Sequence, residues 1–372
     1  MVDLIGALLM VKDEENSIAT TINSVKDYIK HIIVYDTGST DNTISIIRQT
    51  CEANGQFLHL KQGHFVDFPT SRNVGLDFAE SAPVKYLLML DAGDEFKCEH
   101  DKTELQNIIQ KFPLNIGQVR QQWGVEQHFD IRFVKNKCGI RYLLDYPVHE
   151  QMDIRNEQIG NMGNLFFLFQ CRKTHGASTE KRYNKDIEML RKARPCKRNL
   201  FYLAQSYMSI DDYANGFKYN LLTVQSNDGD GHGDDSTNYS RAGYCAIQCK
   251  YPEKVIISNL LMSIKICEDP VIDSYIYLLK YFIDTNQAEK AIPYIDAVRN
   301  MKMVESNKTT NFEFYNYYRW KYIGLACLMS KIELEKGRDA YKRILHYNEQ
   351  EDLHNYKLFP QQGEPTVEGT YG

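Results

Sequence analysis

The sequence predicts an α/β first half, built on a mostly parallel sheet flanked by helices, and an all-helical second half of paired, repeat-like helices. Three observations predict this. Short apolar runs alternate with helical segments up to about residue 115, and from about residue 180 helical periodicity stands alone. At 372 residues the chain is also too long for one ordinary core and suits two domains, expected at 1–178 and 179–372.

The elements follow in order. Leu4–Val11 is a continuous apolar run, as in a strand buried on both faces. Asn16–Tyr28 reads as a helix, and Ile32–Tyr35 as a second strand that ends at Asp36. Thr43–Ala53 is helical, Phe57–Leu60 a third strand, Pro69–Ala79 a helix, and Val84–Leu90 a fourth strand that ends at Asp91. Open α/β sheets bind ligands outside the carboxyl ends of their strands, so Asp36 and Asp91 are expected at one crevice. Strand-like runs at Gln118–Trp123, Ile131–Val134, Ile140–Leu144 and Leu165–Phe169 suggest late, partly antiparallel additions.

Beyond residue 180, Leu200, Leu203, Ala204 and Tyr207 follow the i, i+3, i+4, i+7 spacing of an amphipathic helix. So do Ile257, Leu260, Leu261 and Ile264, then Tyr275, Leu278, Leu279 and Phe282, then Ala288, Ala291, Ile292 and Ile295. Phe201–Asn220 resembles a tetratricopeptide helix pair, with Tyr207 and Gly216 at its aromatic and small positions. Leu278–Ile295 is a weaker copy, interrupted by Pro293. Such pairs stack into a surface that would bind an acceptor, a protein partner or a second copy of the chain.

Composition excludes several classes. Apolar residues make up 43% and charged residues 25%, an ordinary globular balance, and the net charge of −5 argues against a nucleic-acid-coating protein. The nine cysteines include no C-x-x-C pair, so they read as core thiols in a reducing compartment rather than as a zinc site. Cys245 and Cys249, one helical turn apart, fit the same reading. Leu4–Val11 is too short to span a bilayer and no basic residue precedes it, so no transmembrane or leader segment and a cytoplasmic location are expected. Ser226–Ser236 is rich in Gly and Asp but lacks the ligand order of a calcium loop, which leaves a surface loop.

Four motifs occur in order. Val11-Lys12-Asp13-Glu14-Glu15 follows the first strand, and Asp36-Thr37-Gly38-Ser39-Thr40-Asp41-Asn42-Thr43 the second. Ser71-Arg72-Asn73 lies in the helix before the fourth strand, and Asp91-Ala92-Gly93-Asp94-Glu95 follows that strand. Together these segments resemble the family 2 inverting glycosyltransferases with a GT-A fold, in the branch that ends in tetratricopeptide-like helices. The resemblance covers residues 4–180 well and the helical half loosely. It implies transfer of a sugar from a nucleotide sugar, with a UDP-sugar the expected donor, to a glycan, protein or lipid-linked acceptor, and no nucleic acid as partner.

The resemblance also implies roles. Asp36 would accept hydrogen bonds from the nucleotide base, Val11 and Glu14 would line the nucleoside slot, and Arg72 and Asp91 would contact the donor. A divalent cation, Mn²⁺ or Mg²⁺, would sit on Asp91, Asp94 and His149 and neutralise the leaving diphosphate. Tyr146-Pro147-Val148-His149-Glu150 resembles a later signature of the branch, preceded by Ile131-Arg132-Phe133. It makes Glu150 the expected base, with Glu126 and Asp145 as substitutes, and His175 an alternative metal ligand.

The sequence departs from the family pattern at Gly93, where the second aspartate of a D-x-D motif is expected and Asp94 follows one position late. That departure keeps open a catalytically inactive, nucleotide-sugar-binding helical-repeat adaptor. A nucleotidyltransferase needs a basic, glycine-rich phosphate loop after the first strand, and Val11–Glu15 is acidic. Asp36, Asp41 and Thr40 also suit a plain turn and helix cap, a role compatible with ligand binding.

Overall fold

The computed structural model describes residues 3–123, 126–154, 157–170, 179–228, 234–267, 272–303, 313–347 and 349–359. The chain divides into two compact units, Met1–Arg194 and Pro195–Gly372. The division lies after the helix Thr179–Lys192, so that helix belongs with the first unit and not with the second domain expected to open at residue 179.

The first unit runs β1 (Asp3–Val11), α1 (Ile18–Ser24), β2 (His31–Asp36), α2 (Thr43–Ala53), β3 (Phe57–Gln62), α3 (Phe68–Ala79) and β4 (Val84–Leu90). There follow β5 (Asp94–Cys98), α4 (Lys102–Lys111), β6 (Ile116–Trp123), β7 (Glu126–Lys135), β8 (Ile159–Asn161), β9 (Phe166–Gln170) and α5 (Thr179–Lys192). All nine strands form one sheet in the order β3-β2-β1-β4-β7-β6-β9-β5, with β8 also on β6. The β3-β2-β1-β4 block is parallel, whereas β4 to β7, β7 to β6 and β9 to β5 are antiparallel. The mostly parallel sheet expected from the alternating pattern is present.

Alternation along each strand explains why the central runs are apolar throughout. Ala7, Leu9 and Val11 of β1, Ile32 and Val34 of β2 and Leu88 and Leu90 of β4 pack on one face, against Ile18 and Ile22 of α1 and Ile47 of α2. Leu8, Ile33, Leu87 and Met89 take the opposite face, against Leu76 and Ala79 of α3. Register sets the site, because Val11 pairs with Asp36 and Leu9 with Leu90. Asp36 and Asp91 therefore emerge at the same edge.

Three local readings are corrected. Asn16–Tyr28 was expected as one helix, but α1 covers only Ile18–Ser24. Ile140–Leu144 is not a strand; it contributes one isolated bridge, Tyr142 to Met152, because the chain turns away immediately afterwards. β5 and α4 had no counterpart in the sequence reading. β5 is a short, alternating strand whose partner β9 lies far along the chain.

The second unit comprises α6 (Lys197–Met208), α7 (Tyr213–Gln225), α8 (Asp235–Gln248), α9 (Glu253–Ile266), α10 (Asp273–Asp284), α11 (Ile295–Asn300), α12 (Arg319–Ser330), α13 (Leu334–Ile344) and α14 (Gln350–Lys357). Helices α6 with α7, α8 with α9 and α12 with α13 pack as neighbours. In the first pair Tyr207 stacks on Tyr219 at 5.4 Å, and a Cβ on Gly216 would lie 2.8 Å from Met208 Cγ. Pro293 has the expected effect: Ala288–Tyr294 is a 3-10 segment, and regular helix resumes only at Ile295. Among the described residues no helix is long and apolar enough to cross a membrane.

Candidate active site

The loops after β1 and β2 are laced together by polar bonds. Thr40 N donates to Asp13 Oδ1 at 2.7 Å, Asp13 N to Ser39 Oγ at 2.9 Å, and Glu14 N to Thr43 Oγ1 at 2.7 Å. Glu15 N donates to Asp41 Oδ2 at 3.1 Å, and Asn42 N returns a bond to Glu15 Oε2 at 3.1 Å. At the start of α2, Thr43 N donates to Asp41 Oδ1 at 3.0 Å, while the N-cap residue, Asn42, makes no side-chain cap. Val11 anchors the crossing, as its carbonyl accepts from Thr37 N at 2.9 Å. Glu14 accepts a hydrogen bond from Ser17 Oγ.

Asp36 is fully buried, and its carboxylate accepts from the backbone N–H of Gly38 and Ser39 at 3.2 Å. It therefore acts as the turn residue that the sequence also allowed. Gly38, at φ +103°, supplies the conformation that the turn requires.

At the end of β4, the Asp91–Asp94 turn closes on itself. Asp94 N donates to Asp91 O at 3.0 Å, and Asp91 N donates to Asp94 Oδ2 at 2.9 Å. Gly93 sits at φ +96°, and its N–H donates to Thr21 Oγ1 of α1 at 2.8 Å. A glycine at 93 thus has a backbone reason, since an aspartate there would be strained.

Around Asp91 lies a half-buried row of alternating charges. Arg72 of α3 pairs through Nη2 with Asp91 Oδ1 at 3.2 Å and through Nε with Glu150. Arg132 of β7 places Nη1 2.8 Å from Asp91 Oδ2 and Nε 3.3 Å from Asp130 Oδ2. The N–H directions of those two Arg132 nitrogens miss the carboxylates, so these are ion pairs without aligned hydrogen bonds. Burial opposes ionisation of Asp91, but Arg132 and Arg72 overcome it and hold the carboxyl well below the usual carboxylate range. The neighbouring Asp94 goes the other way: burial, then the charge of Asp91, pushes it up to about 6. Burial also lifts the Tyr142 hydroxyl to about 12, against the pull of Arg72 and Arg132.

Glu150 arrives on an excursion of the chain that leaves at Tyr142 and returns at Met152. The preceding residue, His149, takes φ +53°, a left-handed conformation that is costly for a non-glycine residue, and is itself exposed. Glu150, Arg72 and Asp91 thus meet through ion pairs. Among the described residues, no three His, Cys, Asp or Glu side chains gather closely enough to hold an ion, so Asp91, Asp94 and His149 do not form such a cluster. Asp145 is exposed; His175 and the Glu126 side chain lie outside the described residues.

Two participants were missed as site residues. Arg132 stood in the Ile131-Arg132-Phe133 signature without a role, although an arginine within an apolar strand run calls for a partner. Asp186 of α5 is buried, and its carboxyl is raised to about 6 by burial, with Arg182 opposing and Glu150 adding.

Two guanidinium groups converging on a strand-end carboxylate form a site for a ligand dense in phosphate charge. Residues 7–169 match the description "Glycosyl transferase family 2".

This stretch is a glycosyl transferase family 2 domain. It runs from within β1 to β9 and includes the site residues described above except Asp186 of α5. A TPR repeat-containing protein of Synechococcus elongatus is 29% identical over 153 residues, which cover 40% of this chain and 35% of that protein. This chain thus spans about a third of that relative's length. Among solved structures, S. aureus TarS is similar with a TM-score of 0.40 and 11% identity, over 69% of this chain and 54% of that one. S. aureus TarS 1-349 in complex with UDP-GlcNAc gives 0.36 and 11%, over 83% and 99%.

Proposed function

We propose that this chain is an inverting glycosyltransferase that moves a sugar from a nucleotide sugar, with a UDP-sugar as the first candidate, to a hydroxyl of a glycan, protein or lipid-linked acceptor. The observation that carries the reading is the half-buried Glu150–Arg72–Asp91–Arg132 row at the carboxyl edge of the parallel strands, within a glycosyl transferase family 2 domain. Asp36, Val11 and Glu14 stand beside it as the proposed nucleoside slot. The second, helical unit is proposed to bind the acceptor, a partner or another copy, and the scattered cysteines support a cytoplasmic setting.

In the proposed reaction the acceptor oxygen attacks the anomeric carbon from the face opposite the diphosphate. The new C–O bond forms as the bond to the diphosphate oxygen breaks, which inverts the centre. Glu150 takes the acceptor proton. Arg72 and Arg132 offset the charge that grows on the departing diphosphate, within a buried site where such pairing is strong.

The donor set suits a hard divalent cation. Asp91 and Asp94 supply carboxylate oxygens from one turn, and burial beside Asp91 disfavours ionised Asp94, a penalty that a cation relieves. Mg²⁺ in particular is often held by one or two carboxylates plus water and substrate phosphates, so a three-residue cluster is not required. Asp91 and Asp94 would hold Mn²⁺ or Mg²⁺, and the ion would help neutralise the leaving group.

Calorimetric titration with UDP, and hydrolysis of UDP-glucose, UDP-galactose and UDP-GlcNAc with and without Mn²⁺, test this reading. Saturable UDP binding and turnover of at least one donor are expected, with turnover reduced about 10²–10⁴-fold in Glu150→Gln. A folded protein that binds UDP yet turns over no donor with any acceptor class would support the adaptor instead. Absence of binding to any nucleotide sugar would end both readings.

A further inference from the structure

We propose that Asn73 is a positioning residue for Glu150, and that it acts by fixing the neck of the excursion that carries the base. This inference rests on the reading of Glu150 given above.

The neck is built as a miniature sheet. Asp153 N donates to Arg141 O at 2.8 Å, and Leu143 N donates to Gln151 O at 2.8 Å, so the residues on either side of Tyr142 bond across the neck. The backbone of Tyr142 alternates with theirs and faces the other way, towards α3. There its N–H donates to Asn73 Oδ1 at 2.7 Å, and its carbonyl accepts from Asn73 Nδ2 at 2.9 Å. A side-chain amide has the same donor and acceptor as a peptide group. Asn73 therefore takes the place of one residue of a neighbouring strand, and Tyr142 is held on both edges.

Helix α3 touches this segment at three points. Near the helix end, Asp77 and Glu80 each approach Arg141 Nη2 at 2.6 Å. Those carboxylates are well exposed, and exposed ion pairs fix geometry weakly. At the far end of the excursion Arg72 meets Glu150. Arg72 also faces Asp91, and a diphosphate would compete for its guanidinium. That contact is exchangeable in the proposed reaction, whereas the Asn73 clamp lies on buried backbone and stays closed throughout. Asn73 and Arg72 are adjacent on α3, so the same helix turn sets the neck and meets the carboxylate.

A base displaced by about 1 Å can cost on the order of 10²-fold in rate while the distant nucleoside contacts stay intact. Asn73→Leu in the full chain should therefore lower the kcat for the best-hydrolysed UDP-sugar at least about 10-fold, with the Kd for UDP within about twofold of wild type. Asn73→Asp keeps the acceptor for Tyr142 N–H but loses the donor to its carbonyl, so it should fall between the two.

The decisive arm is the double variant. If Asn73 works through Glu150, then Asn73→Leu should cost little further turnover once Glu150→Gln is in place. Equal losses in the wild-type and Glu150→Gln backgrounds would overturn the proposal. So would a UDP affinity that falls in parallel with kcat, or an unchanged kcat. Should Asn73→Leu melt below the assay temperature, Asn73→Asp carries the same comparison. If Glu150→Gln alone leaves turnover at the wild-type rate, the base reading fails and Asn73 loses its role with it. Wild-type protein that hydrolyses no UDP-sugar would instead defeat the broader functional proposal.

Discussion

Gly93 shows how one backbone angle can reshape a motif. At φ +96° it lies where L side chains are disfavoured, and its N–H is tied to Thr21 of α1. The second acid consequently falls at Asp94, whose carboxylate returns to cap Asp91 N. Gly93→Asp, which restores the spacing of a D-x-D motif, is expected to destabilise the protein by about 1–2 kcal/mol rather than to improve activity. Urea unfolding of the variant, together with its turnover, checks both halves of that expectation. The acids at strand ends were legible because Asp36 and Asp91 each close an apolar run. The role of Arg132 was not, since its partner Asp91 follows another strand and the Ile131-Arg132-Phe133 signature does not name that partner. The clamp by Asn73 was hidden for the same reason: its partner is backbone at Tyr142, and backbone leaves no trace in residue identity.

At the scale of elements, the helix pairs of the second unit are set by single glycines. A Cβ on Gly243 of α8 would lie 2.4 Å from Leu260 Cδ2 of α9, and one on Gly324 of α12 would lie 2.4 Å from Tyr341 Cδ2 of α13. Gly243→Ala gains helix propensity but forces Leu260 off its packing, for a net loss of about 1–3 kcal/mol by denaturant unfolding. The parallel strands carry a second testable feature. His31 of β2 sits between Asp3 Oδ2, 3.1 Å from Nε2, and His59 of β3, with Nδ1 and Nε2 of the two rings 2.9 Å apart. Burial, then the charge of His31, lowers the pKa of His59. A histidine depressed in the folded state contributes stability that is complete above the unfolded value of about 6.5 and is lost as pH falls. His59 is half-buried, and solvent screening should keep the loss under about 1 kcal/mol. Thermal melts from pH 8 to 5 should show it in wild type and a flatter profile in His59→Gln. The strands and helices themselves were largely readable from periodicity, and α2 and β4 fall at the residues expected. Ile140–Leu144 misled because an apolar run shows that residues are buried without showing that they have a strand for a neighbour.

For the whole molecule, the boundary at Arg194 defines a fragment to make. Residues 1–194 retain the glycosyl transferase family 2 domain and α5, including the buried Asp186. This fragment should bind UDP with an affinity within a few-fold of the full chain, as read by calorimetry. A fragment ending at 178 should be less stable, because it lacks α5. If residues 1–194 fold but bind no UDP while the full chain does, the nucleotide site needs the second unit. The sheet order has a further consequence, for the order in which the chain can be assembled on a ribosome. Strands β1 to β4 can zip together once the first 90 residues have emerged. β5 is made next but belongs at the opposite end of the sheet, beside β9 at Phe166–Gln170. At about 5–20 residues per second it waits several seconds, unpaired, for its partner. Asp94 is the first residue of that waiting strand. On the proposed assignment, the nascent protein therefore owns its nucleoside crevice well before it owns a finished catalytic edge, and it would be born able to hold a nucleotide but not yet able to use one.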